Sequence, residues 1–228
     1  MKENKYDDNI FFQKYSQMSR SQKGLAGAGE WETLKKMLPD FKGKRVLDLG
    51  CGYGWHCIYA MENGASSVVG VDISHKMLDL AKSKRQLTNT VYLNMNAEQL
   101  NFNEKFDFIV SRTTFHHLDD IASVIQQMKE LLNEEGRIVI LDNVSEVETP
   151  PTYVYKLGAI QEFLPHCFKF GIKNAIRIYN HNTSKSWLEH LASDKYLSEQ
   201  NYYDLYEKLL PGCQFHKMGW AMGVVWTK

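Results

Sequence analysis

The chain has 228 residues, enough for one domain with a small appendage, and a domain of that length buries roughly 70 to 75% of its unfolded surface. Lys and Arg number 27 and so do Asp and Glu, which excludes an overall basic field for nucleic acid or an anionic membrane and leaves only a local patch open. The four cysteines, Cys51, Cys57, Cys167 and Cys213, lack CxxC spacing, no charged-then-apolar leader is present, and no apolar run nears the ~20 residues that span a bilayer, so a soluble cytoplasmic protein with reduced thiols and no membrane segment is expected.

Residues 1–4 read as disordered. Residues 8–19 carry Ile10, Phe11, Phe12, Tyr15 and Met18 at mixed helical spacing, ahead of Arg20, Ser21 and a glycine-bearing stretch at 24–29, so a helix and a hinged loop are expected. Residues 30–38 form an amphipathic helix closed by Pro39. An apolar run at 46–49, broken by Asp48, then ends in Gly50, Gly52 and Gly54. A buried strand must turn sharply there, and glycine permits both positive φ and the close approach of a ligand, because no Cβ stands in the way. Residues 55–63 read as a helix whose first turn offers unpaired N–H groups. Gly64 is its C-cap, and residues 67–71 form a second strand ending in Asp72. An acid about 20 residues past a glycine turn is where nucleoside-binding α/β folds hold a ribose. The dinucleotide spacing GxGxxG fails here, since Trp55 stands where its third glycine would be, and this disfavours a pyrophosphate cofactor such as NAD.

A helix at 76–86 follows, with Met77, Leu78 and Ala81 on one face, then a strand at 91–94 and the polar turn Asn96-Ala97-Glu98. Residues 106–110 form a fourth strand, which leads into Ser111-Arg112-Thr113-Thr114-Phe115-His116-His117-Leu118. The spacing of Ile121, Val124, Ile125, Met128, Leu131 and Leu132 predicts an amphipathic helix over 119–132. Gly136 marks a turn, and a fifth strand at 138–141 ends in Asp142 and Asn143, the end at which open α/β sheets bind ligands. Residues 145–196 break the pattern with Pro150-Pro151, many aromatics (Tyr153, Phe163, Phe168 and Trp187 among them) and scattered histidines. The stretch is too long for an ordinary loop, so an inserted helical cap is expected, either roofing an acceptor pocket or packing its aromatics into a core of its own. His166, His181 and His190 have no metal-ligand spacing, and no metal site is expected. A last helix at 198–210 and a hairpin of 213–217 with 222–227 close the chain.

The segment Asp48-Leu49-Gly50-Cys51-Gly52-Tyr53-Gly54 closely resembles motif I of the class I S-adenosylmethionine (SAM) dependent methyltransferases, and the run from Ser111 to Leu118 resembles their motif IV with its trailing helix. The resemblance implies an α/β fold with a doubly wound, mostly parallel seven-stranded sheet, Rossmann-like, with an inserted helical cap. It divides the chain into an N-terminal lid at 1–40, a SAM-binding core at 41–144, a cap over the acceptor site at 145–196, and the final helix and hairpin at 197–228.

The resemblance also implies the site. Gly50, Cys51, Gly52 and Gly54 would wrap the methionine part of the cofactor, Asp48 would help hold its ammonium, and Asp72 would take the ribose. Ile73 and Met77 would cover the adenine, with Met77 as ordinary core the alternative. Asn96, Ala97 and Glu98 would read the adenine edge, or else Asn96 and Glu98 begin a helix. Ser111 would lie at the strand end that faces the methionine ammonium. Tyr15, Met18, Arg20 and Ser21 would fold over the cofactor, unless the aromatics only pack on the sheet edge. His116 or His117 would assist proton removal, or the pair is structural. Arg112 departs from the pattern, because a bulky cation beside a sulfonium is unfavourable unless it points away or binds an acidic substrate.

The implied reaction is in-line displacement at the methyl carbon of SAM by a small metabolite, with S-adenosylhomocysteine (SAH) as product. Ser111 to Thr114 lacks the proline and aromatic tetrapeptide that stacks an extruded base, which with zero net charge argues against a nucleic-acid acceptor. The competing readings are a non-catalytic SAM or SAH binder with the same fold, and a nucleotide-linked oxidoreductase, which Trp55 already weakens.

Overall fold

The structure is a computed structural model that describes residues 4–84, 87–146 and 151–228, apart from the side chains of residues 10, 14 and 19. The disorder expected of residues 1–3, the helix end at 85–86, Pro150 and the Ile10 side chain lie outside the described residues.

Seven strands form one sheet: β1 (Arg45–Leu49), β2 (Ser67–Asp72), β3 (Thr90–Asn94), β4 (Phe106–Arg112), β5 (Leu132–Asn143), β6 (Gln214–Met218) and β7 (Ala221–Thr227), in the order β3-β2-β1-β4-β5-β7-β6. β1 to β5 pair in parallel, and β7 runs antiparallel to both of its neighbours. The expected α/β, doubly wound, mostly parallel sheet is therefore present. The helices among the described residues are α1 (Asn9–Tyr15), α2 (Ser19–Lys23), α3 (Trp31–Met37), α4 (Trp55–Glu62), α5 (His75–Lys84), α6 (Ile121–Leu131), α7 (Thr152–Phe170), α8 (Ile172–Asn182), α9 (Lys185–Ser193) and α10 (Glu199–Leu209).

Alternate residues of a strand point to opposite faces, and β1 shows what that does here. Leu47 and Leu49 pack with Phe106, Ile109, Val124, Tyr202 and Tyr206 on the face that α6 and α10 cover. Val46 packs with Leu34, Met37, Phe108 and Val139 on the face that α3 and α4 cover. Sheets covered on both sides read as near-continuous apolar runs, which is why these strands were legible. Each fully buried Leu or Phe stabilises the fold by roughly 1.5–3 kcal/mol. Asp48 is the exception, a carboxylate on the α3 and α4 side at 1% exposure.

The chain runs from β1 outward to β2 and β3, then returns across the sheet to β4 on the other side of β1. That reversal opens a crevice beyond the C-terminal ends of β1 and β4.

Four boundaries differ from the sequence reading. The single helix expected at 8–19 is two, because the Ser21 hydroxyl donates to Tyr15 O at 2.8 Å and folds α2 back on the end of α1. β4 runs on through Ser111 and Arg112. β5 begins at once after α6, and its register on β4 jumps from Phe106↔Leu132 to Phe108↔Arg137, so the stretch holding Gly136 is an irregularity of the strand instead of a separate turn. The polar turn at Asn96 does not start a helix: Asn96 Oδ1 accepts from the Glu98 amide at 3.0 Å, and the Glu98 carboxylate accepts from the amides of Asp119 and Asp120 ahead of α6.

α7, α8 and α9 fill the expected cap. α7 and α8 are joined at Gly171, with Phe163 edge-on to Tyr179 between them. α9 buries Leu188 and His190, while Leu157, Leu164 and Phe168 of α7 face outward, Phe168 at 84% exposure. No described helix is long and apolar enough to cross a membrane.

Candidate active site

At the end of β1 the glycines serve different ends. A Cβ on Gly50 (φ 72°) would overlap the Thr114 hydroxyl, and one on Gly54 would overlap Tyr92, so both positions are shaped by packing. Gly52 (φ 52°) has nothing within 4 Å on its Cβ side and lines the cleft. The amides of Gly50 and Cys51 both donate to Val71 O at 2.9 Å, which pins the turn to the end of β2. The Gly52 amide donates to Asp72 Oδ2 at 2.9 Å, and the Ser74 amide donates to Oδ1 at 2.8 Å. Burial raises the Asp72 carboxyl above its ordinary range, against the pull of these two amides. Each oxygen keeps lone-pair capacity for a ligand hydroxyl.

Asp48 lies beneath the turn. Its Oδ2 accepts from the Cys57 thiol at 3.3 Å and lies 3.9 Å from His56 Nδ1, while Oδ1 is buried without a partner among the described residues. Burial pushes the Asp48 carboxyl up to about 7. Burial, and then the charge of Arg20, push His56 down to about 4, so its ring is neutral near pH 7.

The roof comes from the N-terminal segment. Tyr6, Tyr15, Arg20, Ser21 and Leu25 line the cleft from above, with Tyr6 edge-on to Phe11 and Tyr15. Asp7 fastens this segment to the start of α5: its Oδ1 accepts from the Ser74 hydroxyl at 2.6 Å and the Lys76 amide at 3.1 Å. An acid is well placed at a helix N-terminus, where amides are unpaired.

On the other side of the turn, Ser111 donates through Oγ to Leu49 O at 2.9 Å. Arg112, Thr113 and Thr114 line the cleft. Arg112 forms an ion pair through Nη2 with Glu30, whose Oε1 also lies 3.5 Å from Arg20 Nη1. Its Nε and Nη1 are buried without partners among the described residues. Thr113 holds φ at 55°, a strained conformation for a β-branched residue.

The paired histidines part company. His116 is buried, its amide donating to Asp142 Oδ2 at 2.7 Å and its Nδ1 lying 2.6 Å from Asp142 Oδ1. His117 reaches the cleft, with Nδ1 3.3 Å from Asp194 Oδ1. His190 of α9 joins them, its Nδ1 4.0 Å from the same oxygen, and the Tyr196 hydroxyl donates to Asp194 Oδ2 at 2.6 Å. Ligand atoms of His116, His117 and Asp194 fall within 4.8 Å of one another. This is a grouping that sequence spacing could not show. His117 from the core and His190 from the cap thus meet at one oxygen of Asp194.

Residues 47–140, from β1 into β5, match the family model described as a methyltransferase domain. Over this stretch the chain is similar to methyltransferase domains. A tRNA U34 carboxymethyltransferase of Hahella chejuensis is 31% identical over 132 residues, 53% of this chain and 40% of that protein. Phosphoethanolamine N-methyltransferase 3 of Arabidopsis thaliana is 30% identical over 150 residues, 59% of this chain and 30% of that protein. The chain thus spans less than half the length of these two curated relatives. The crystal structure of an S-adenosylmethionine-dependent methyltransferase from Mesorhizobium loti matches with a TM-score of 0.66 at 21% identity, over 90% of this chain and 100% of that one, which is a likeness of fold.

Among the site residues expected from the sequence, Tyr15, Arg20, Gly50, Cys51, Gly52, Asp72, Ile73, Met77, Ala97 and His117 line one cleft of about 1030 Å³, part of it open to solvent. Asp48, Gly54, Ser111 and His116 stand behind its wall. Asn96 and Glu98 build the turn before α6, and Met18 instead lines a separate groove beside α8. No described residue of 145–196 lines the cleft, so the roof is the N-terminal segment and not the cap. Tyr6, Glu30, Trp31, Trp55, His56 and Thr113 are wall residues that the sequence reading passed over. Only the aromatic content of the leading segment hinted at any of them.

The wall fits a SAM molecule. Gly52 is open where a side chain would block it, Asp72 presents a carboxylate at the strand end, and the orphaned Asp48 oxygen supplies buried acceptor character below the turn. Val71, Ile73, Met77 and Ala97 offer an apolar bed for a planar base.

Proposed function

We propose that this chain transfers the methyl group of SAM, in line, to a small-molecule acceptor and releases SAH. One observation carries the reading: Gly52 and Asp72 meet at the floor of a cleft that Tyr6 and Tyr15 close from above. When bound, SAM supplies a methyl carbon on a positively charged sulfur.

The residues of the chain align and enclose. Asp72 takes the ribose hydroxyls, Gly50, Cys51 and Gly52 accommodate the amino-acid part, and Asp48 favours its ammonium from below. Ile73 and Met77 cover the base. Tyr6, Tyr15, Trp31 and Trp55 keep water from the reacting centre. Alignment and exclusion of water are the main demands of a displacement that needs no covalent intermediate on the protein. The proton of the acceptor passes to water. Residues 1–40 act as the lid, 41–144 as the cofactor core, and 145–196 as a cap that braces the lid through Trp187 and His190 against Phe11. A roofed cleft and a zero net charge support a small acceptor.

Titration calorimetry tests the cofactor: SAM and SAH bind and NAD does not. SAH release in the presence of small-metabolite pools tests turnover. Binding without release in any pool would leave a silent SAM binder in place of an enzyme.

A further inference from the structure

Asp72 on β2 and Arg112 on β4 flank the glycine turn from opposite sides, because β1 lies between their strands and Leu49 pairs with Ser111, the residue before Arg112. Two inter-strand spacings, roughly 9–10 Å, separate the two strand ends. With the ribose on the Asp72 side, the Arg112 side is the part of the cleft left for a second ligand.

Its chemistry is unlike the rest of the wall. The Arg112 side chain is 7% exposed and is a cation by nature, yet Nη2 alone is engaged, on Glu30. Glu30 also serves Arg20, so two guanidiniums share one carboxylate and the group keeps a positive charge. Nε and Nη1 are two buried donors without partners, on different edges of the guanidinium, and each can donate to an oxygen of an anion. Beside them Thr113 lines the cleft with its hydroxyl also unpartnered among the described residues, at a φ that a threonine rarely adopts. Buried donors left unsatisfied, together with backbone strain at one point, mark a place where a ligand completes the structure.

We propose that Arg112 and Thr113 recognise an oxyanion on the methyl acceptor, so that the acceptor is an acidic small molecule bearing a carboxylate or a phosphate group. The proposal rests on the methyltransferase reading, and the test keeps the two apart. Small-molecule extract is split on an anion exchanger, and each fraction is assayed with SAM for SAH release by the parent, Arg112→Gln and Arg112→Lys. SAH affinity of each protein is measured alongside by calorimetry. Turnover is expected in the retained fraction, with kcat/KM down about tenfold or more for Arg112→Gln and SAH affinity changed less than about twofold. Arg112→Lys keeps the charge and loses the spread of donors around the guanidinium, so it folds with Glu30 still paired and shows a smaller loss of the same kind. Prior treatment of the retained fraction with phosphatase removes the activity of a phosphate ester and spares that of a carboxylate, and either result supports the site. Activity confined to the unretained fraction, or absent from both fractions, overturns it. So does a parallel fall in SAH affinity, which would hand Arg112 to the carboxylate of the cofactor. Failure of the parent to bind SAH would instead sink the underlying reading.

Discussion

The Gly52 amide donates to Asp72 Oδ2 at 2.9 Å while the open side of the same glycine faces the cleft, so one bond holds the acid of β2 against the turn of β1. Asp72→Ala is expected to lower SAH affinity about tenfold or more, the worth of one charge-assisted hydrogen bond at about 1.5–3 kcal/mol. Calorimetry reads this directly. Unchanged affinity would remove Asp72 from the cofactor site.

Gly50 and Gly52 separate stability from binding. In Gly50→Ala the new methyl overlaps the Thr114 hydroxyl at a positive φ, and a loss of about 1–3 kcal/mol in unfolding free energy is expected. Thr114→Ala in the same chain should recover part of it. Gly52→Ala meets no neighbour, so stability should fall by only about 1 kcal/mol while SAH affinity drops, because the methyl occupies ligand space. Denaturant melts and calorimetry on the three variants check the split.

For the histidines the sign of the pH dependence follows from burial. Burial holds His117 down to about 2 and His190 to about 4, with the neighbouring His116 charge adding to both shifts. Between about pH 6.5 and 4 the unfolded chain protonates these rings and the folded protein does not. The stability they contribute is therefore present above pH 6.5 and is lost on acidification, by about 1.4 kcal/mol per pH unit per ring. His116 has the opposite sign: burial lowers it, but Asp142 outweighs burial and raises it, so its contribution is present at low pH and fades as pH rises through the raised value. His190→Asn should flatten the loss of stability between pH 7 and pH 5. A slope equal to that of the parent would mean that the native ring is already charged.

A ring held near 2 is a poor proton acceptor, and His116 is committed to Asp142. The ratios of the His116→Ala and His117→Ala methylation rates to the parent rate should accordingly stay flat with pH, and His116→Ala should cost about 3 kcal/mol of stability by taking the ring away from buried Asp142, which keeps only the amides of residues 116 and 143. A His117→Ala ratio that varies with pH would restore the general base.

Asp7 is where the lid is fastened. Asp7→Ala removes the acceptor for Ser74 and Lys76, so SAH should leave faster while the fold of the core is preserved. Stopped-flow displacement measures the rate, and an unchanged rate would separate lid fastening from ligand release.

The sheet was legible because its strands are buried on both faces, and the turn because positive φ at three alternate positions demands glycine. Asp72 was legible for the same local reason. Glu30 was not: it begins an ordinary amphipathic helix, and only the return of the chain to β4 brings Arg112 against it. Glu98 has the composition of a base-reading residue but spends its carboxylate on the amides ahead of α6. His190 shows no spacing with the paired histidines, and the cap carries it to them. The break between α1 and α2 depends on a hydroxyl folding back on a carbonyl, which apolar spacing does not report.

The outward row of Leu157, Leu164 and Phe168 on α7 belongs to a molecule whose charges cancel. Near neutrality no long-range repulsion holds two copies apart, so colloidal behaviour in concentrated solution is governed by this oily strip of the cap. Shifting the buffer away from the isoelectric region, by giving every copy the same sign, keeps the protein dispersed.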